Sequence, residues 1–282
     1  MNSICILTDS TAQFPTPSFP GRNLVHVIPL HVQINGQIYA RGEGIKATDM
    51  PRTIANGSST LVVPPSQAEF ETIFTSLSAH FGTVVTILHS ADLSKTFHNA
   101  AQAASAVQGH IKIQLIDAQT TAVGLGMIVQ AAAEAIADGM PAAESERYIR
   151  SLIRKVYSVL CIEGLTYLQQ SGYLGPAQST IGEYLKLLPI FIFESGHLVA
   201  TQKARNYRHL VDILHEFVYE FPELKHIALL QGVPPFESET RALRERINED
   251  FPTTNLSEHT ISGALAGLIG PRSLGMFVMQ DG

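Results

Sequence analysis

The feature that most constrains the fold of this chain is a short apolar run near its start that ends in small polar side chains. Residues 4–7 are apolar, and Thr8, Asp9, Ser10 and Thr11 follow them directly. An apolar run of this length is typical of a buried strand. In open α/β sheets, ligands bind beyond the carboxyl ends of such strands. We therefore predict a buried parallel strand whose polar end lies at a ligand site.

Similar strands recur through the first half of the chain, and helices separate them. The predicted strands cover residues 4–7, 25–28, 84–88 and 111–116, with a hairpin over residues 31–39 that turns at Asn35 and Gly36. Apolar stripes predict helices after Pro65 (with a capping box of Ser66 and Glu69), near Ser94, and over residues 125–137. Strands that alternate with helices indicate a parallel sheet with helices on its faces.

The second half of the chain differs because it mixes hairpins with helices. Ser195 and Gly196 mark a hairpin turn, and residues 207–221 predict a long amphipathic helix. The predicted fold class is α/β, with an N-terminal parallel-sheet α/β domain over residues 1–150. A C-terminal α+β domain with a mixed or antiparallel sheet is predicted over residues 151–282. The helix near residues 66–81 is expected to be able to pack with the second domain.

Composition argues against several kinds of partner and location. The net charge of −6 argues against a nucleic-acid partner, which usually binds a basic face. The longest apolar stretches, such as residues 187–193, are far shorter than a membrane span, so no stable membrane insertion is expected. Cys5 and Cys161 lie in apolar runs and are expected to be small buried side chains. No signal peptide is recognised, and a cytoplasmic location is predicted.

Motifs for nucleotide or metal chemistry lack the context that they need. Gly42 and Gly44 have part of the spacing of a dinucleotide fingerprint, but they follow a hairpin, and Gly124 and Gly126 lie inside the start of a helix. The histidines are scattered without the spacing of metal ligands. We therefore predict a non-enzyme with no cofactor, no metal ligands and no catalytic residues.

Ser94 is the candidate ligand contact that residue chemistry alone suggests. It follows a predicted strand and opens a helix, so the amides of residues 95–97 lie at the positive end of a helix dipole. Such a place binds a carboxylate or a phosphate. It is also the place of an ordinary N-cap, in which the Ser94 hydroxyl bonds the same amides. Both interpretations stay open at this point.

Separated segments, in a fixed order, carry a resemblance that no one of them carries alone. They are Thr8-Asp-Ser-Thr-Ala12, Val27-Ile-Pro-Leu30, His89-Ser-Ala-Asp-Leu-Ser-Lys-Thr96, Ile116-Asp-Ala-Gln119, Leu165-Thr-Tyr-Leu168 and Gly270-Pro-Arg-Ser-Leu-Gly275. Together they span nearly the whole chain, which resembles the DegV family of bacterial fatty-acid-binding proteins. The resemblance implies that one long-chain fatty acid lies in an apolar tunnel, with its head group on the N-terminal domain and the C-terminal domain covering the tunnel.

The resemblance implies a head-group site that is only partly kept in this chain. The serine that grips the carboxylate in the family falls on Ser94, and Thr96 follows two residues later. Glycines of the family fall on Lys95 and Arg272, which bring positive charge. We therefore expect an anionic head group to stay at Ser94, with Lys95 or Arg272 as its new charged partner.

Aliphatic side chains replace other polar contacts that the resemblance implies. The threonine and serine of the family's Thr-Ser-Gln-Pro-Ser segment fall on Val62 and Val63, and its histidine falls on Leu268, followed by Ile269. Valine has nearly the shape of threonine but cannot donate a hydrogen bond. We expect these residues to line the ligand site with a weakened polar contact to the head group.

A kinase partner is also implied for some members of the family, which present the bound acyl chain to the ATP-binding subunit of a fatty acid kinase. Of the two arginines on the partner-facing surface, one is kept as Arg205 and the other is replaced by Tyr173. If docking needs both arginines, this chain binds lipid without serving a kinase.

Alternatives to a fatty-acid carrier remain open on the sequence. One is a DegV-like scaffold that binds a different amphiphile, because Val62 and Leu268 replace the usual threonine and histidine contacts. Another, of a different class, is a hydrolase acting on acyl or phosphorylated substrates through Asp9, Ser10 and Ser94, together with His31 or His89.

Overall fold

A computed structural model describes residues 4–39, 45–55, 57–107, 109 and 111–281. The chain divides into two compact units. The first comprises Met1–Leu30, Val63–Val156 and Ser195–His197, and the second comprises His31–Val62, Tyr157–Glu194 and Leu198–Gly282. The first unit is therefore not the continuous segment 1–150 that the sequence suggested. Residues 31–62 leave it because their strands form a separate small sheet that belongs to the second unit.

Strands and helices are numbered separately in chain order. The strands are β1 (Ile4–Asp9), β2 (Val25–Ile28), β3 (His31–Ile34), β4 (Gln37–Tyr39), β5 (Thr60–Val63), β6 (Thr83–Leu88), β7 (Lys112–Asp117), β8 (Val156–Ile162), β9 (Leu188–Glu194), β10 (His197–Ala204), β11 (Leu224–Gln231), β12 (Asn255–Thr260) and β13 (Ser273–Gln280). The helices are α1 (Gln67–Ser78), α2 (Thr96–Ala106), α3 (Ala122–Ala137), α4 (Ala142–Ile153), α5 (Leu165–Gln170), α6 (Pro176–Tyr184), α7 (Tyr207–Tyr219), α8 (Glu237–Asp250) and α9 (Gly263–Ile269).

The first unit is built on a parallel sheet with the strand order β2-β1-β6-β7. Apolar residues of β1 and β6 pack against α1 and α2, with Phe70, Phe74 and Leu77 of α1 fully or nearly buried. The predicted capping box is present, since the Glu69 amide donates to the Ser66 hydroxyl and the Ser66 amide donates to the Glu69 carboxylate. The predicted α/β class is confirmed, and the carboxyl ends of β1 and β6 lie side by side.

Gly126 is required where α3 passes the chain that leaves β1. A Cβ atom added at Gly126 would lie 1.9 Å from the carbonyl oxygen of Gln13. This glycine therefore serves close packing of the backbone and not a dinucleotide fingerprint. The other glycine pair with that spacing, Gly42 and Gly44, lies outside the described residues.

The second unit contains a mixed sheet with the strand order β10-β9-β8-β13-β11-β12 and a smaller sheet with the order β4-β3-β5. Strand β11 pairs in parallel with β12 and antiparallel with β13. Helices α7 and α8 pack on the mixed sheet through buried side chains that include Leu210, Leu214 and Leu243. This agrees with the predicted α+β character of the second half.

Both cysteines are buried free thiols, as predicted. Burial raises the pKa of the Cys5 thiol to about 12. Burial also raises the pKa of Cys161, and the negative charge of Glu163 adds to that effect. In the described part of the chain, no helix is long and apolar enough to span a membrane.

Candidate functional site

The candidate site lies in the first unit, at the carboxyl ends of β1 and β6. These strands are parallel neighbours, with Leu7 paired with Thr86, so Asp9 at the end of β1 comes next to His89 just beyond β6. The side chains of Asp9 and His89 are both completely buried. The sequence predicted a ligand site at the end of β1, and the structure places a polar cluster there.

Asp9 is a buried carboxylate with several donors. Its Oδ1 atom accepts hydrogen bonds from the amide (3.0 Å) and the hydroxyl (2.6 Å) of Thr11. Its Oδ2 atom accepts the amide of His89 at 2.8 Å. His89 Nδ1 lies 3.0 Å from the same oxygen, at an ion-pair distance but without the alignment of a hydrogen bond. We therefore describe that contact as electrostatic.

These contacts determine the charge of Asp9. Burial alone would raise the pKa of the carboxyl group, but the opposing charge of His89 and the hydrogen bonds from His89 and Thr11 outweigh it. The net result is a pKa below the ordinary value. Asp9 is therefore ionised at neutral pH and holds a fixed negative charge behind the imidazole of His89.

His89 connects this buried charge to Ser94. The Nε2 atom of His89 lies 2.8 Å from the Ser94 hydroxyl oxygen. Ser94 Oγ also lies 2.7 Å from the Thr96 hydroxyl and accepts the amide of Thr96 at 3.2 Å. Helix α2 begins at Thr96, and Lys95 occupies the N-cap position without a side-chain cap. Ser94 therefore binds the first amide of the helix, but its bond to His89 goes beyond an ordinary cap.

The loop that carries Ser94 is fixed by contacts within the first unit. The Ser90 amide donates to the carbonyl of Thr120 at 2.8 Å, and the Ala91 amide donates to Asp117 at 3.2 Å. Asp92 pairs with His197 at 3.0 Å on the surface. Ser94 is half-buried and Lys95 is exposed, so the loop presents a positioned hydroxyl and an exposed cation next to each other.

The second unit holds the aliphatic residues that the resemblance singled out. Val62, in β5, lies against α9, because a Cβ atom added at Gly267 would lie 2.5 Å from Val62 Cγ2. Leu268 and Ile269 are buried in α9, and the Leu268 carbonyl accepts the hydroxyl of Ser171. Val63 is half-buried and is grouped with the first unit. Leu268 and Ile269 thus lie in apolar surroundings, whereas Val62 and Val63 are only half-buried.

Arg272 is engaged within the second unit. Its Nε atom donates to Glu163 at 3.1 Å, and its Nη1 atom donates to the carbonyl of Pro234 at 2.6 Å. The guanidinium also lies 3.8 Å from the ring centroid of Phe236, and Glu163 accepts the hydroxyl of Tyr207 at 2.7 Å. To serve a ligand, Arg272 would have to leave these partners.

The other candidate residues from the sequence lie at separate positions. Ser10 accepts the amide of Leu30 through its hydroxyl, at 2.9 Å. Arg205 is exposed at the end of β10, and Tyr173 is half-buried, with its amide donating to the carbonyl of Leu168. His31 begins β3 in the second unit, so His89 is the histidine that contacts Ser94.

Sequence reasoning named Asp9, Ser94 and His89 together in the hydrolase alternative, but it did not predict the direct contacts from Asp9 through His89 to Ser94. The sequence held a signal for these contacts, because Asp9 ends one apolar strand and His89 directly follows another. Among the residues that the structure describes, no group of three or more His, Cys, Asp or Glu side chains is arranged to hold a metal ion.

Comparison with known proteins places the chain in a family. The family model described as "Uncharacterised protein, DegV family" matches residues 3–281. The DegV domain-containing protein TTE1491 of Caldanaerobacter subterraneus subsp. tengcongensis is 28% identical over 79% of this chain and 80% of its own length. The class of protein is therefore settled: the chain belongs to the DegV family.

Solved structures agree with this assignment at the level of the fold. A DegV family protein from Thermus thermophilus, described as fatty acid binding, superposes with a TM-score of 0.83 at 24% identity, covering 99% of this chain and 100% of its own. The Fatty Acid Kinase (Fak) B3 protein of Streptococcus pneumoniae, solved with linoleic acid, gives a TM-score of 0.82 at 19% identity, with coverage of 99% and 100%.

Proposed function

We propose that this protein binds one long-chain fatty acid and carries it in the cytoplasm, without chemistry of its own. The observation that supports this most directly is the half-buried Ser94 hydroxyl, held at the carboxyl ends of parallel strands and at the start of α2. In this proposal the head group binds Ser94 and Thr96, and Lys95 supplies positive charge. Val62, Val63, Leu268 and Ile269 contribute apolar surface to the ligand.

The acyl chain can supply most of the affinity. Burial of apolar groups contributes about 0.8 kcal/mol per CH₂, so a sixteen-carbon tail contributes roughly 10 kcal/mol before the costs of association. A lost hydrogen bond to a charged acceptor removes about 1.5–3 kcal/mol. The replacement of threonine by Val62 therefore weakens binding without abolishing it.

The proposed cargo is tested by extracting the purified protein with organic solvent and identifying the released molecules by mass spectrometry. A stoichiometric fatty acid supports the proposal. A different lipid, released in the same amount, contradicts it and supports the alternative in which the scaffold has changed to another amphiphile.

Replacement of Ser94 by alanine is expected to weaken fatty-acid binding by about ten- to a hundredfold, because a hydrogen bond to a charged group is lost. Titration of wild type and variant with linoleic acid measures the change. Ser105→Ala is the matched control, since Ser105 is an exposed serine of α2, the helix that follows Ser94, and its hydroxyl donates to a carbonyl one turn back. Equal losses of fatty-acid affinity in both variants, or no loss in Ser94→Ala, would contradict the role of Ser94 in binding the head group.

Lys95 and Arg272 are expected to respond differently to replacement by alanine. Lys95→Ala should weaken fatty-acid binding by about two- to fivefold at low salt and less at high salt, because an exposed charge is screened. Arg272→Ala should leave the affinity nearly unchanged and lower the free energy of unfolding by about 1–3 kcal/mol, because Glu163 loses its partner. Salt-dependent binding titrations and urea unfolding measure the two effects. A large loss of affinity in Arg272→Ala alone would show that Arg272, and not Lys95, is the charged partner of the head group.

A fatty acid kinase is the proposed partner, since a protein of the same fold is named as part of such a kinase. Exposed Arg205 is the candidate contact, whereas Tyr173 stands where the family has a second arginine. A binding assay with the ATP-binding subunit of a fatty acid kinase, using wild type and Arg205→Ala, tests the partnership.

Hydrolysis of an acyl ester is a second candidate function, and one observation favours it. Asp9, His89 and Ser94 contact one another in the order of an acid–base–nucleophile triad. We rank it second because the imidazole of His89 is completely buried and so cannot reach a leaving group. Release of p-nitrophenol from a p-nitrophenyl acyl ester by wild type, and its loss in Ser94→Ala, would favour the hydrolase.

A further inference from the structure

A cavity of about 360 Å³ lies in the second unit, between α7 and the strands β8, β9 and β10. We call it the α7 cavity, and its aliphatic lining residues are Val159, Ile190, Ile192 and Ile213. The described residues that line it all belong to the second unit, and none of them is proposed above to contact the fatty acid. Its volume is within the range of pockets that bind small molecules.

Aromatic rings form another part of the lining. The Phe221 ring lies 4.6 Å from the Tyr157 ring and 5.2 Å from the Phe217 ring, measured between centroids. Phe221 is buried, whereas Phe217 is partly buried and Tyr157 is 39% exposed, so part of this aromatic surface faces solvent. The face of an aromatic ring attracts a cation. The α7 cavity therefore offers an apolar interior and ring surface that a positively charged group can contact.

Two carboxylates lie where the α7 cavity meets solvent. Glu216 and Glu220 are one helical turn apart on α7, they line the cavity, and both are exposed. Neither has an ion-pair partner among the described residues. The described lining residues also include no lysine, arginine or histidine. The uncompensated charge at the opening is therefore negative.

We propose that the α7 cavity binds a small hydrophobic ammonium compound. The apolar body of the ligand packs on the aliphatic lining, and its cationic group lies between the aromatic rings and the carboxylates of Glu216 and Glu220. A carboxylate ligand would be repelled by the same two glutamates, so this site differs in charge preference from the proposed fatty-acid site. The proposal goes beyond the carrier function and does not depend on it.

Titration of the wild-type protein with benzyltrimethylammonium, followed by ligand-observed NMR, tests the site. Benzyl alcohol and phenylacetate are the neutral and anionic comparison compounds. We expect the cation to bind with a dissociation constant of about 1 mM or tighter. The alcohol should bind about two- to fivefold more weakly, because it lacks the cation–π contact, and phenylacetate should bind most weakly. Added salt should lower the affinity of the cation alone.

A double variant tests the two carboxylates. Glu216→Gln combined with Glu220→Gln is expected to weaken benzyltrimethylammonium binding by about two- to tenfold at low salt and to leave benzyl alcohol unaffected. The matched control is Glu245→Gln combined with Glu249→Gln. These glutamates are also four positions apart and exposed, on α8, and they are not among the lining residues. The control should bind the cation like the wild type.

A single variant tests the aromatic surface. Phe217→Leu keeps an apolar side chain but removes the face of a ring, so binding of the cation should fall by about two- to fivefold. Benzyl alcohol should bind nearly as well as it does to the wild type. Equal losses for both compounds would show that the ring contributes only apolar contact.

The outcomes that overturn this site are distinct from those that overturn the carrier function. Equal affinity for the three compounds, no binding of the cation, or the same loss in both double variants would contradict the proposal and leave the fatty-acid carrier untouched. The titration is repeated with saturating linoleic acid. Unchanged binding of benzyltrimethylammonium supports a separate site, whereas its displacement would show that the cation occupies the fatty-acid site instead.

Discussion

Asp9→Asn is expected to lower the free energy of unfolding at neutral pH by about 3–5 kcal/mol, the loss typical of breaking a buried charge pair on one side. The asparagine keeps the shape of the side chain. However, its amide group would point a donor at the His89 amide and at Nδ1, where Oδ2 now accepts and attracts. Urea unfolding of wild type and variant measures the difference.

Asp92→Asn is the matched control for this change. Asp92 also contacts a histidine at 3.0 Å, but its partner His197 is 69% exposed, whereas Asp9 and His89 are both completely buried. Exposed ion pairs contribute at most about 1 kcal/mol. Similar losses in the two variants would show that burial of the Asp9–His89 pair adds little to its contribution to stability.

The loss in Asp9→Asn is also expected to depend on pH in one direction. The pKa of Asp9 is held below its usual value by His89 and Thr11, against the opposing effect of burial. Such a carboxyl group stabilises the fold above its unfolded-state pKa of about 3.9, and its contribution disappears as the pH falls through the folded-state value. The difference between wild type and variant should therefore be largest at neutral pH and shrink in acid. A difference that grows in acid would contradict this.

Gly126→Ala is expected to lower the free energy of unfolding by about 3 kcal/mol or more, because overpacking against backbone cannot be relieved by a side-chain rotation. The added Cβ atom would overlap the Gln13 carbonyl, and the Phe14 amide lies 3.0 Å from it. Either α3 or the segment after β1 has to move. Since that segment follows Asp9 and Thr11 directly, we also expect weaker fatty-acid binding in this variant.

Gly182→Ala provides the contrast for Gly126→Ala. Its Cβ atom would also make a very short contact, but with the Cδ1 atom of Leu165, the flexible end of a side chain. Alanine is also the better helix former inside α6, by about 1 kcal/mol. We expect Gly182→Ala to change the free energy of unfolding by less than about 1 kcal/mol. Thermal and urea unfolding of the two variants compare a clash with fixed backbone atoms with a clash that a side chain can relieve by moving.

The elements that the sequence predicted well are those whose own residues show an apolar run or an apolar stripe. Strand β2 has the predicted boundaries, and α1 has its predicted cap and apolar stripe. Helix α8 was not predicted, because most of its residues are charged or polar and few, such as Leu243 and Ile247, are buried. Strand β12 is an edge strand of polar, partly exposed residues, so neither alternation nor an apolar run marks it.

The candidate site was predictable only in part, because its parts come together through pairing of distant strands. Ser94 could be found from a strand end and a helix start. The contact between Asp9 and His89 spans 80 positions in the chain and depends on β1 and β6 being neighbours. Arg272 looked like a free cation for the same reason, since its partner Glu163 is 109 positions away.

The two cysteines give this protein a built-in means of observing each unit separately. Cys5 lies in β1 of the first unit and Cys161 in β8 of the second, both fully buried. A buried, protonated thiol reacts with a labelling reagent only when its surroundings open. The rates at which the two thiols are labelled, followed by mass spectrometry with and without lipid, therefore report which half of the molecule a ligand holds closed.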